Sequence, residues 1–170
     1  MLIKSIIFED FVNYKKPSMF IGMPSCSFKC DKECGKQVCQ NSELAKAPCI
    51  DIEPTTIVHR FYDNPITEAV VFGGLEPFDD FDDLYILIYL LRTGATLKNQ
   101  PIPDIVIYTG YYPEEVVDYI EELKDLTADF GMKIIIKFGR FIPDRPHKYD
   151  ELLGIELASD NQEAIKLEDC

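Results

Sequence analysis

The chain has 170 residues, 46% of them hydrophobic, a formal net charge of −13 and six cysteines. That length suits a single domain, residues 1–170, able to bury a core without cross-links, and no apolar run is long enough to span a membrane. The acidic balance argues against nucleic-acid binding, which needs surplus Lys and Arg to meet phosphates.

Residues 2–8 alternate loosely and read as an edge strand or an N-terminal arm. The opening Met1-Leu-Ile-Lys-Ser-Ile-Ile-Phe-Glu-Asp10 does not read as a signal peptide: its apolar run is short, Lys4 breaks it, and no small-residue cleavage site follows. The cysteines are therefore expected as reduced thiols in the cytoplasm, not as disulfides. Residues 18–23, Ser-Met-Phe-Ile-Gly-Met, read as a buried strand that delivers the chain into a loop, residues 24–44. Cys26, Cys30, Cys34 and Cys39 lie within fourteen residues of that loop. Thiolates suit soft metals and iron–sulfur centres. Zinc is the rival, but zinc sites usually bring ligands in C-x2-C pairs, often with histidine. Here the gaps are three, three and four residues and no histidine is near, so the spacing favours an iron–sulfur cluster.

Residues 41–47 predict a short helix capped by Asn41 or Ser42, and residues 54–62 a helix with Pro54 in its first turn and Ile57, Val58 and Phe61 on one face. Residues 68–72 form a continuous apolar run closed by Gly73-Gly74, as expected of a strand buried on both faces. The acidic run Asp79-Asp-Phe-Asp-Asp83 lacks the ligand register of a calcium loop; it reads as a helix start, with carboxylates at the positive end of the dipole, leading into residues 84–91. A loop is expected from residue 93 to the prolines at 101 and 103. Residues 104–109 predict another buried strand, residues 113–124 an amphipathic helix with Val116, Val117, Ile120 and Leu123 inward, and residues 132–138 a strand ending at Gly139. Turn signals at Pro143, Pro146 and Gly154 follow, then a short strand near residues 163–167. His59 and His147 read as exposed or structural, and Cys49 and Cys170 as unpaired thiols.

Alternating strands and helices joined by such connections imply parallel pairing, hence an α/β fold. Ligands of parallel sheets sit at the carboxyl ends of the strands. The cysteine loop, Gly73-Gly74 and Tyr108-Thr109-Gly110 all follow strands and are expected on one rim.

Motifs in this order resemble the radical S-adenosylmethionine (SAM) superfamily, specifically the small activating proteins of anaerobic ribonucleotide reductase. Cys26-Ser-Phe-Lys-Cys30 matches the start of that family's C-x3-C-x2-C loop, and Cys39-Gln-Asn is similar to its end. On this alignment residues 31–38 replace the usual two, so six are inserted and Cys34 falls in the insert; the other alignment takes Cys34 as the third ligand. Gly74-Leu-Glu-Pro77 resembles the family's Gly-Gly-Glu-Pro segment, with Leu75 in place of the second Gly. Tyr108-Thr-Gly-Tyr111, Phe138-Gly-Arg-Phe-Ile142 and Ser159-Asp-Asn-Gln162 resemble three further family segments. The resemblance implies a partial (β/α) barrel with a mostly parallel sheet. It implies a [4Fe–4S] cluster on Cys26, Cys30 and Cys39, SAM held with the help of Gly73, Gly74 and Glu76, and no side-chain general base. The implied activity is reductive cleavage of SAM to raise a glycyl radical on anaerobic ribonucleotide reductase or another glycyl radical enzyme, with an electron donor such as flavodoxin. Two alternatives stand beside it: a radical SAM enzyme with another substrate, and a cluster- or zinc-bearing binding module without SAM chemistry.

Overall fold

The structure is a computed structural model that describes residues 1–127 and 131–170. Its elements in chain order begin with strands β1 (Leu2–Ile3), β2 (Ser5–Asp10) and β3 (Ser18–Gly22), then helices α1 (Lys29–Cys34) and α2 (Ser42–Lys46). Strand β4 (Ile50–Asp51), helix α3 (Pro54–Asp63), strand β5 (Ala69–Gly73), helix α4 (Phe81–Lys98) and strand β6 (Asp104–Tyr108) follow. Helix α5 (Val117–Thr127) and strands β7 (Ile134–Phe138), β8 (Lys148–Asp150), β9 (Ile155–Leu157) and β10 (Glu163–Lys166) complete the set.

Six strands form one open sheet in the order β10-β7-β6-β5-β3-β2. The inner strands β3, β5, β6 and β7 are parallel, while β2 and β10 pair antiparallel at the two edges. The fold is therefore α/β with a mixed sheet around a parallel core, and no barrel closes. Parallel neighbours need crossovers, and α3, α4 and α5 supply them. These helices bury their apolar stripes on one face of the sheet, against a row formed by Ile21, Phe72, Ile107 and Ile136. The next row, Phe20, Val71, Val106 and Ile135, points to the opposite face. There Tyr14, Leu153 and Leu157 cover it. Burial on both faces is why these strands read as unbroken apolar runs.

Several expectations are corrected. Helix α4 does not stop at residue 91 but continues through Thr93-Gly-Ala-Thr to Lys98, where Asn99 turns left-handed at φ 50°. The cause is packing: Gly94 lies so close to α3 that a β-carbon would fall 2.8 Å from Val58 Cγ1 and 2.9 Å from Tyr62 Cε2. Helix α5 begins at Val117; residues Pro113–Glu115 form a separate 3-10 turn. Val116 is buried as expected, but Val117 is 52% exposed, because the break rotates it off the core. The cysteine loop is not wholly irregular, since α1 lies inside it. Residues 148–157 form the β8–β9 hairpin, and Ile50–Asp51 pairs with β1. The acidic run does start a helix, through a 3-10 turn at Pro77–Asp80. His59, His147, Cys49 and Cys170 are all exposed. Among the described residues no helix is long and apolar enough to cross a membrane.

Replacing glycine by alanine inside a helix normally stabilises it by about 1 kcal/mol. At Gly94 the opposite is expected. Tyr62 cannot retreat freely because its hydroxyl donates to the Leu91 carbonyl at 2.6 Å, so Gly94→Ala should lower unfolding free energy by about 1–3 kcal/mol, read from the urea midpoint. An unchanged or raised midpoint would refute the packing argument.

Candidate functional site

Strands β3, β5, β6 and β7 run in the same direction, so the segments that leave them collect on one rim. A cavity of about 360 Å³ opens there, within the range of small-molecule sites. Cys26, Cys30 and Cys39 line it, as do Gly74, Leu75, Glu76, Tyr108, Thr109 and Gly110. Cys34 does not. Gly73 closes β5 just below, in register with Gly22. The first two thiols share the cavity because Phe28, between them, adopts a left-handed conformation at φ 52°, and its amide N–H reaches back to Cys26 Sγ at 3.3 Å. Cys30 sits against the loop after β6: a β-carbon on Gly110 would lie 3.4 Å from its sulfur. Gly74 lines the cavity with φ 75°, and a β-carbon there would fall 2.8 Å from Leu44 Cδ2, so the position excludes a side chain.

Glu76 is the hub of the rim. It is 5% exposed, and its carboxylate accepts from Thr109 Oγ1 at 2.7 Å, Gly110 N at 2.8 Å and Phe78 N at 3.2 Å. Its own amide donates to the Ser25 carbonyl at 2.8 Å. One residue thus joins the cysteine loop, the end of β5 and the turn after β6. Burial pushes its carboxyl up to about 7, against the pull of the three donors. The acidic run contributes as well. Asp79 accepts from the Ser27 amide and the Tyr111 hydroxyl, and Asp80 accepts from Ser25 Oγ at 2.6 Å. Sequence reading assigned these carboxylates only to a helix start; they also clasp the start of the cysteine loop.

Lys137, which sequence reading missed, projects from β7 into the same cavity and is 7% exposed. It is the only cationic side chain lining the cavity among the described residues. Its ammonium donates to the Gly139 carbonyl at 3.3 Å, an acceptor shared with Gln162 Nε2 at 3.1 Å. Desolvation lowers its pKa to about 8. The detectable signal was a lysine between Ile136 and Phe138 in a strand buried on both faces. The two late motifs meet here, since Asn161 Nδ2 donates to the Arg140 carbonyl at 2.9 Å.

Two of the sulfurs, those of Cys26 and Cys30, are held as neutral thiols. Burial pushes Cys26 up to about 12, and it raises Cys30 in the same direction. Among the described residues no group of three or more His, Cys, Asp or Glu side chains is placed to hold a metal ion. By residue type alone the donors suit a soft metal: three thiols from one loop line the cavity, with no imidazole lining it among the described residues. No protein-family model matches this chain, and no curated protein and no solved structure matches it.

The Glu76 value has a measurable consequence. Between an ordinary 4.5 and about 7 the folded protein keeps a proton that the unfolded chain has released. Stability from this group is therefore full below pH 4.5 and is lost as pH rises through about 7. Glu76→Gln should flatten that part of the profile. It should also cost about 1–3 kcal/mol throughout, because its amide nitrogen is a donor placed among donors. Denaturant midpoints taken across this pH window read both effects; an unflattened slope would assign the titration elsewhere.

Proposed function

We propose that this chain is a radical SAM iron–sulfur protein, acting as an activase that raises a glycyl radical on a partner such as anaerobic ribonucleotide reductase. The observation that carries the reading is the meeting of Cys26, Cys30 and Cys39 with Gly74, Glu76 and the Tyr108–Gly110 turn around one cavity. The open sheet, with its helices on one face and its parallel strands in sequential order, supports a partial (β/α) barrel. In this reading Cys26, Cys30 and Cys39 hold a [4Fe–4S] cluster, and Gly73, Gly74 and Glu76 shape the berth for SAM. When bound, the cluster supplies the electron that cleaves SAM reductively.

The chain's own residues prepare the site. Each thiol must release its proton on metal binding, so the raised Cys26 and Cys30 make uptake favour higher pH. Glu76 fixes the rim's shape. Gly74 lines the cavity at a position that excludes a side chain. The bulk of the protein orients the cofactor and excludes competing reactions. An electron donor such as flavodoxin and a cytoplasmic setting belong to the same proposal. A second reading, a cluster- or zinc-bearing binding module without SAM chemistry, draws on Leu75, which is 6% exposed where the resembling family has Gly.

Oxygen-free reconstitution with iron and sulfide separates the two. The activase reading expects a brown protein that yields 5′-deoxyadenosine from SAM on reduction, and a glycyl radical once an anaerobic reductase is added. Alanine at Cys26, Cys30 or Cys39 should abolish iron uptake, while Cys34→Ala keeps it. A colourless, zinc-loaded protein ends the reading, and iron without 5′-deoxyadenosine leaves the binding module.

A further inference from the structure

The eight residues between Cys30 and Cys39 are long enough to carry Cys39 far from the rim, yet both line the same cavity. The fold of the insert explains why. Helix α1 ends at Gly35 with φ 64°, and the chain then doubles back. Asp31 Oδ1 accepts from both the Val38 and the Cys39 amides, each at 2.8 Å. On its other side the Cys39 carbonyl accepts from Ser42 Oγ at 2.6 Å and Ser42 N at 3.3 Å. Backbone bonds on both sides of Cys39 are thus occupied, and its placement is set by Asp31 from one direction and α2 from the other.

The helix that carries Asp31 is itself pinned. Arg140, 6% exposed, makes paired bonds to Glu115 at 2.8 and 2.7 Å, and its Nε lies 2.8 Å from Glu33 of α1. Lys29 donates to Glu115 at 3.0 Å, and its ammonium stands 3.9 Å above the Tyr111 ring. Cys34 lies at the end of α1, outside the cavity lining.

We propose that Asp31 is the positioning residue that selects Cys39 over Cys34 as the third sulfur of the site, folding residues 31–38 into a clip that Arg140 holds against the rim through Glu33. The inference rests on reading Cys26, Cys30 and Cys39 as the sulfur set. Charge-assisted bonds from two successive amides to one carboxylate are among the stronger local constraints available to a loop.

Phenylarsine oxide, which bridges two neighbouring thiols without any metal, tests the placement on full-length reduced protein, with the bridged cysteines mapped by peptide mass analysis. Wild type should bridge Cys39 to Cys26 or Cys30. Asp31→Ala should weaken bridging at Cys39 by at least about tenfold and shift some to Cys34, with unchanged circular dichroism. Asp31→Asn keeps an acceptor oxygen facing the amides and should restore the wild-type pattern, a rescue that general destabilisation does not produce. Bridging at Cys39 that ignores the alanine change, or an asparagine variant as impaired as alanine, overturns the proposal. Iron loading is read separately: if wild type takes no iron but the arsenical pattern follows Asp31, the cluster reading fails and the placement stands.

Discussion

The carboxylate of Glu76 spans the gap from the end of β5 to the turn after β6, and the same residue's amide holds Ser25 at the head of the cysteine loop. That bridge ties three loops of the rim to a single buried residue. The bridge is costly to build, since a carboxylate taken out of water must find donors for its oxygens. Thr109, Gly110 and Phe78 supply them from the two segments being joined. The group that needs satisfaction thereby enforces the assembly of the site. Asp79 and Asp80 repeat the device nearer the surface, holding Ser25, Ser27 and Tyr111.

The sequence made some of this legible and hid the rest for definable reasons. Strands β5, β6 and β7 were plain because burial on both faces leaves no polar alternation to interpret. The end of α4 was misplaced because Thr93-Gly-Ala-Thr carries weak helix propensity, while the close fit of Gly94 on α3 is a long-range fact. Helix α1 was missed because six residues with no buried member show no apolar period. Glycine and cysteine spacing located the cavity. Its ionic supports stayed invisible: Arg140 meets Glu115 from 25 residues away, and Lys29 meets it from 86. Pairings of that range follow from topology, not from pattern.

Electrostatics divides the molecule unevenly. A chain of net charge −13 places few cations near its site, and the ones it does place are committed. Arg140 and Lys29 brace α1, and Arg140 holds Glu115 down to about 2. At the opposite end of the sheet Lys16 and Lys133 converge on Asp104 with the Tyr14 hydroxyl. That half-buried knot secures the floor of the domain as the rim contacts secure its mouth.

The raised thiols of Cys26 and Cys30 carry a consequence for the durability of the protein. The thiolate, not the thiol, is the nucleophile that attacks oxidants and disulfides. Sulfurs kept protonated by their surroundings are slow to scar, so Cys26 and Cys30 are guarded against oxidation within the folded chain.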